Sequence, residues 1–217
     1  MKIIDTKSLP ASYDCNEIVH VPLYKTCKIK QIINLENYQN ILFQSPSAVV
    51  NFDQIELLED KRIIAMGPGT SNQLRNHGYI AELPSDDYSS KGVINLLNKS
   101  ELIGKTLVIK GEGGLSSISD YLNSASFKTD ELNTYSRQKF ESYDDIKKQF
   151  SDTDFVIFSS ALSVEIYFEN IHHNEMSIKF LAVSERIGKV IESYKKQSKV
   201  IDYFSDDLVR EINLTLS

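Results

Sequence analysis

The chain has 217 residues, 41% of them apolar and 25% charged, which is the balance of a globular protein with room for one large domain or two small ones. A net charge of −6 with no long basic run argues against nucleic acid as a partner. No apolar run nears the ~18 residues of a membrane span, and Met1-Lys2-Ile3-Ile4-Asp5 lacks the apolar core of a secretory signal.

Short β-branched runs predict strands at residues 2–5, 18–24, 40–44, 62–66, 79–83, 106–110, 127–135, 155–159, 179–183 and 200–204. Helical spacing places Val93, Leu96 and Leu97 on one stripe. Leu115, Ile118 and Leu122 form a second, and Ile187, Val190, Ile191 and Tyr194 a third. Alternating strands and helices predict an α/β protein with mostly parallel sheets, and so many strands suit two small sheets better than one. An internal repeat supports two lobes. Leu42-Phe43-Gln44-Ser45-Pro46-Ser47-Ala48-Val49 matches Ile157-Phe158-Ser159-Ser160-Ala161-Leu162-Ser163-Val164. Ile63-Ile64-Ala65-Met66 matches Phe180-Leu181-Ala182-Val183, and Ser85-Asp86-Asp87 matches Ser205-Asp206-Asp207.

Parallel sheets bind ligands where strands end and helices begin. The segments there are Ser45-Pro46-Ser47, Gly67-Pro68-Gly69-Thr70, Gly111-Glu112-Gly113-Gly114 and Ser160-Ala161-Leu162-Ser163. Small and hydroxyl residues leave backbone N–H groups open to an anion at a helix N-terminus. They also make ordinary turns and N-caps, the simpler reading of any one loop. Neither glycine loop completes a nucleotide-binding fingerprint: Ser116 and Asn72 stand where a third glycine is needed, so no nucleotide cofactor is expected. Asp86-Asp87 and Asp206-Asp207 read as helix-start acids, and His172-His173 as an exposed loop. Cys15 and Cys27 are too few for a disulfide framework or a zinc site, and the four histidines lack metal-binding spacing. A cytoplasmic protein with reduced thiols and no metal is expected.

The blocks resemble the uroporphyrinogen-III synthase family over nearly the whole chain. The family's "FTSPxAV" stands here as Phe43-Gln44-Ser45-Pro46-Ser47-Ala48-Val49, and "VGPxTA" as Met66-Gly67-Pro68-Gly69-Thr70-Ser71. "YTSEGL" stands as Tyr88-Ser89-Ser90-Lys91-Gly92-Val93, "RGEGG" as Lys110-Gly111-Glu112-Gly113-Gly114, and "VYxT" as Thr134-Tyr135-Ser136-Arg137. The second-lobe loops depart from the pattern: residues 158–164 lose their proline, and Val183-Ser184-Glu185-Arg186-Ile187-Gly188 loses its glycine, proline and threonines. The first helix is also abbreviated, because residues 6–17 are short and broken by Pro10.

The resemblance implies two flavodoxin-like parallel-sheet lobes, one discontinuous (residues 1–25 and 139–217) and one inserted (residues 30–132). Connectors near residues 25–29 and 133–138 would act as a hinge, with substrate in the cleft between lobes. It implies cofactor-free closure of hydroxymethylbilane, a linear tetrapyrrole with eight carboxylates, to uroporphyrinogen III. Ring A loses its hydroxyl, a substituted carbon of ring D attacks, and a spiro intermediate lets ring D invert. Such catalysis rests on orientation and on protonation of the departing hydroxyl. Tyr135 is the expected proton donor. Ser45, Pro46, Ser47, Gly67, Thr70, Ser90, Gly111, Gly113, Ser160 and Ser184 are the expected substrate-binding residues. A monomer is expected, receiving substrate from hydroxymethylbilane synthase without nucleic acid or membrane. The competing readings are a non-catalytic two-lobed binder of an anionic small molecule, and a phospho-receiver. The receiver ranks low because Gln44-Ser45 stands where its aspartate belongs.

Overall fold

The computed structural model describes residues 1–10, 13, 15–100, 102–173 and 177–216. In chain order the strands and helices are β1 (Ile3–Asp5), β2 (Ile18–His20), β3 (Tyr24–Lys28), β4 (Asn40–Phe43), α1 (Pro46–Val50), β5 (Arg62–Ala65), α2 (Pro68–Arg75), α3 (Ser90–Asn98) and β6 (Thr106–Gly111). There follow α4 (Ser117–Ser124), β7 (Thr129–Lys139), α5 (Asp144–Lys148), β8 (Phe155–Phe158), α6 (Ala161–Asn170), β9 (Lys179–Ala182), α7 (Glu185–Ser193), β10 (Ser198–Val200) and α8 (Leu208–Leu216).

These elements form two units, Met1–Lys25 with Gln138–Ser217, and Thr26–Arg137. The chain passes from one to the other within β3 and within β7. The discontinuous unit has strand order β10-β9-β8-β1-β2, and the inserted unit β3-β7-β6-β4-β5. The pairings of β1 with β2 and β8, of β8 with β9 and of β9 with β10 are parallel, as are those of β4 with β5 and β6, and of β6 with β7. The discontinuous unit thus has the flavodoxin-like order.

Burial explains why these runs are strands. Every residue of β4, β6 and β8 is buried, as expected for strands covered on both faces. Successive side chains supply opposite cores. Ile4, Val156, Phe158 and Phe180 enter one cluster of the discontinuous unit, and Ile3, Phe155, Ile157 and Leu181 the other. In the inserted unit Ile41, Phe43, Leu107 and Ile109 face one side, and Leu42 and Val108 the other.

The sequence repeat survives as a permutation. When β8 is matched to β4 and β9 to β5, the order β9-β8-β1-β2 corresponds to β5-β4-β6-β7. The single bridge from Ile64 to Glu82 then takes the place of β10.

Several predicted elements are corrected. Residues 18–24 form two strands, because Pro22 has no N–H to donate and restrains its neighbour. Residues 79–83 make only the bridge at Glu82; Ile80 is 90% exposed and Pro84 follows. The last strand ends at Val200, where Asp202 turns the chain by accepting from Phe204 N at 3.1 Å. Leu115 is exposed and precedes α4. The connection from β1 to β2 carries no helix among its described residues, of which 11, 12 and 14 are not part.

Candidate active site

In the inserted unit the switch point lies between β4 and β6, whose outgoing chains lead to α1 on one side and α4 on the other. Ser45 caps α1: its side chain accepts from Ala48 N at 3.2 Å, and Pro46 fills the first turn, where no N–H is needed. Ser47, the next residue, is buried.

Tyr135 reaches the same cap from β7. Its hydroxyl lies 3.0 Å from Ser45 Oγ, while its ring is 3% exposed and packs in the cluster containing Phe43 and Ala48. A register shift explains the aim. Lys110 pairs with Asn133, yet Gly111 pairs with Tyr135, so β7 gains one residue. Thr134 and Tyr135 are consecutive and both buried, and both bond to the α1 segment, Thr134 Oγ1 donating to Ala48 O at 3.3 Å. Gly111 makes room for the ring. A Cβ there would stand 2.5 Å from Tyr135 Cζ.

Lys110 organises the loop that follows. It is 4% exposed and its Nζ donates to Ser116 Oγ at 2.8 Å and to Gly114 O at 3.2 Å, and pairs with Glu131 at 2.6 Å. Burial alone would raise the Glu131 carboxyl. Hydrogen bonds from Lys110, Ser119 and Ser116 outweigh it and hold the group below its ordinary value. Lys110 therefore spends its charge inside the protein. Gly113, at the tip, has φ +67° and nothing within 4 Å of an added Cβ.

Gly67 and Thr70 begin α2 beyond the edge strand β5, with Thr70 N donating to Gly67 O at 3.1 Å. A Cβ at Gly67 would lie 3.0 Å from Tyr88 Cβ, so this loop touches the one that enters α3. Ser90 is the first residue of α3, whose cap is Ser89. Ser90 Oγ is shielded from solvent and has no hydrogen-bond partner among the described residues.

The discontinuous unit repeats the tyrosine-on-cap arrangement. Ser160 caps α6, accepting from Ser163 N at 3.1 Å, and Tyr24 OH donates to Ser160 Oγ at 3.3 Å. Ser184 caps α7 through its backbone carbonyl, which accepts from Ile187 and Gly188, and not through its side chain. At the end of β1 the buried Asp5 accepts from Lys7 N at 3.0 Å, from Tyr203 OH at 2.6 Å and from Tyr13 OH. Burial and then the Asp5 charge push both phenols above their ordinary value.

Within the inserted unit, Tyr135, Ser45 and Gly111 come together, with Pro46, Ser47 and Gly113 adjoining. Gly67, Thr70 and Ser90 form a separate neighbourhood of that unit. Ser160 and Ser184 open different helices of the other unit. Two features escape the motif reading. Arg137 lies two residues beyond Tyr135, a spacing that returns a strand to the same face. Asp5 is a lone acid after two isoleucines in a strand. His172 is corrected: its ring is half-buried against Phe168, Tyr167 and Phe180, not in an exposed loop.

The family model described as uroporphyrinogen-III synthase HemD matches residues 15–206. The chain is similar in fold to the uroporphyrinogen-III synthetase of Helicobacter pylori 26695, with TM-score 0.71, 13% identity, and 100% of this chain and 99% of that one covered. It is also similar to a mutant uroporphyrinogen III synthase of Thermus thermophilus, with TM-score 0.56, 16% identity, and 92% and 89% covered. No curated protein sequence matches. No described helix is long and apolar enough to cross a membrane.

Proposed function

The chain belongs to the uroporphyrinogen-III synthase family, lyases that close a linear tetrapyrrole, and we propose that Tyr135 is the acid that assists loss of the hydroxyl from hydroxymethylbilane. The observation that carries this reading is the Tyr135 hydroxyl on the Ser45 cap, at the switch point of the inserted sheet.

Ser45 Oγ already accepts from Ala48 N, which leaves its own proton free for the Tyr135 oxygen. Arg137 Nη2 also donates to that oxygen, at 3.4 Å. With two donors turned toward the oxygen, the phenolic proton is free for the leaving hydroxyl. Transfer releases water and gives the electrophilic azafulvenium. The same two donors then stabilise the phenolate, as preorganised dipoles do at any developing charge. Ring D attacks through its substituted carbon, detaches, turns over and recloses. The proton lost when the macrocycle regains its aromatic pyrroles restores the phenol, so one water leaves per turnover.

Substrate carboxylates would meet the small residues of the loops: Ser45, Pro46, Ser47, Gly67, Thr70, Ser90, Gly111 and Gly113 of the inserted unit, and Ser160 and Ser184 of the other. The open space at Gly113 supports this assignment. A monomer in the cytoplasm, supplied by hydroxymethylbilane synthase, completes the proposal. A substrate that closes spontaneously to the uninverted isomer favours a short transit.

Tyr135→Phe tests the acid. Removing the hydroxyl should lower kcat by about 10²-fold, the scale of general acid assistance, while product affinity stays within a few-fold. An unchanged kcat would return Tyr135 to a packing role.

A further inference from the structure

We infer that Arg137 is a carboxylate-binding residue of this site, holding one acidic side chain of the tetrapyrrole beside Tyr135. The inference rests on the proposed role of Tyr135 and goes beyond it. Arg137 stands where the family's "VYxT" segment has a threonine, so the device belongs to this chain rather than to the motif.

The guanidinium is exposed, yet it is held in place. Its Cζ lies 5.3 Å from the centroid of the Tyr135 ring. Nη1 donates to Glu112 O at 3.0 Å, and Nη2 to Tyr135 OH at 3.4 Å. The Glu112 peptide is fixed in turn, because its N–H donates to Tyr135 O at 2.8 Å. Loop, ring and guanidinium thus brace one another. Of the five N–H groups on a guanidinium, only two have partners among the described residues, and both partners are neutral. Among the described residues no carboxylate lies within ion-pair distance of Arg137. The remaining donors suit the planar, two-point grip that arginine makes on a carboxylate.

Lys110 provides the contrast. It stands on β6 at the root of the same loop, and it is buried with its charge matched by Glu131. Arg137 is then the cation left to meet an acidic ligand between Tyr135 and the open tip at Gly113. A grip at this point orients the bilane where the hydroxyl must leave, beside the oxygen to which Arg137 also donates.

The test uses the full chain and Arg137→Met, which keeps an apolar stem against the tyrosine ring and removes the charge. Binding of uroporphyrin III, the stable oxidised form of the product, is read by fluorescence titration, and turnover by formation of the III isomer. We expect binding about tenfold weaker and KM raised to match, the scale of a charge-assisted hydrogen bond in partial solvent, with kcat lowered as well because the Tyr135 oxygen loses one of its two donors, and an unchanged melting temperature. Arg137→Lys should recover part of the loss. Equal binding and KM in Arg137→Met, with the wild type turning over, would overturn this inference alone. A fall in kcat with binding intact would overturn it too, and would make Arg137 a positioning residue for Tyr135. A wild type that makes no III isomer would overturn the reading of the site, and this inference with it.

Discussion

Gly111→Ala places one methyl group against the candidate acid. The added Cβ would lie 2.5 Å from Tyr135 Cζ and 2.8 Å from both Cε2 and the hydroxyl oxygen. The strand around it is fully buried, and Gly111 is tied into the ladder opposite Tyr135, so the backbone has little freedom to retreat. The ring must move by about 1 Å to restore ordinary contact, a displacement that costs roughly 10²-fold when it misplaces a catalytic group. Overpacking of this kind costs about 1–3 kcal/mol, or roughly 2–12 °C in melting temperature for a chain of this size. The hydroxyl would lose its place on Ser45. The assay supplies hydroxymethylbilane from a coupled synthase and follows uroporphyrinogen III, with melting measured in parallel. The expected result is a fold that melts slightly early and turns over about a hundred times more slowly. Wild-type turnover despite a lowered melting temperature would show that the position of Tyr135 does not matter to the chemistry. Wild-type values for both would show that the ring is not packed on Gly111.

Three further outcomes follow from the same geometry. Gly113→Val puts a branched side chain at φ +67° in open space, so melting should fall by about 2–8 °C while product titration shows weaker binding; unfolding by circular dichroism would mean the glycine serves the turn alone. Lys110→Met strips the loop carbonyls and Ser116 of their common donor and leaves Glu131 unpaired. Chemical denaturation should show a loss of about 2 kcal/mol, below the ~3–5 kcal/mol of a fully buried pair because Glu131 is 32% exposed, and a loss under 0.5 kcal/mol would contradict the strut role. Burial, then Lys196 and His173, hold the His172 imidazole below its ordinary value. The folded state therefore binds this proton less readily than the unfolded state. Stability is full above about pH 6.5 and declines as pH falls through it, so His172→Phe should flatten the melting profile between pH 7.5 and 5.5; an unchanged slope would remove His172 as the cause.

Much of the fold was legible because burial writes itself into short strands. The runs Ile41-Leu42-Phe43, Leu107-Val108-Ile109 and Val156-Ile157-Phe158 have no polar interruption, and each is a strand covered on both faces. What failed was composition without context. Tyr79-Ile80-Ala81 has strand-forming residues, yet its chain touches β5 only once and leaves Ile80 to solvent. His172 looked polar and peripheral, although an aromatic cluster assembled from α6 and β9 encloses one face of it. At the site, Ser45 and Ser160 were legible as helix starts, because a cap is a local event. Tyr135 was named through the resemblance, but the pairing of each cap with a tyrosine was not legible. Tyr135 comes from 90 positions away and Tyr24 from 136. Lys110 opens a candidate ligand loop in the sequence, and only the folded loop shows that its charge is spent on Glu131.

The central claim is that this chain directs ring closure with inversion, and isomer analysis tests it most directly. Purified protein is given hydroxymethylbilane as it forms, and the products are oxidised and separated as uroporphyrins I and III. The account predicts uroporphyrin III as the dominant product, formed in proportion to the amount of protein added. Uroporphyrin I alone, at the rate of the protein-free control, would contradict it.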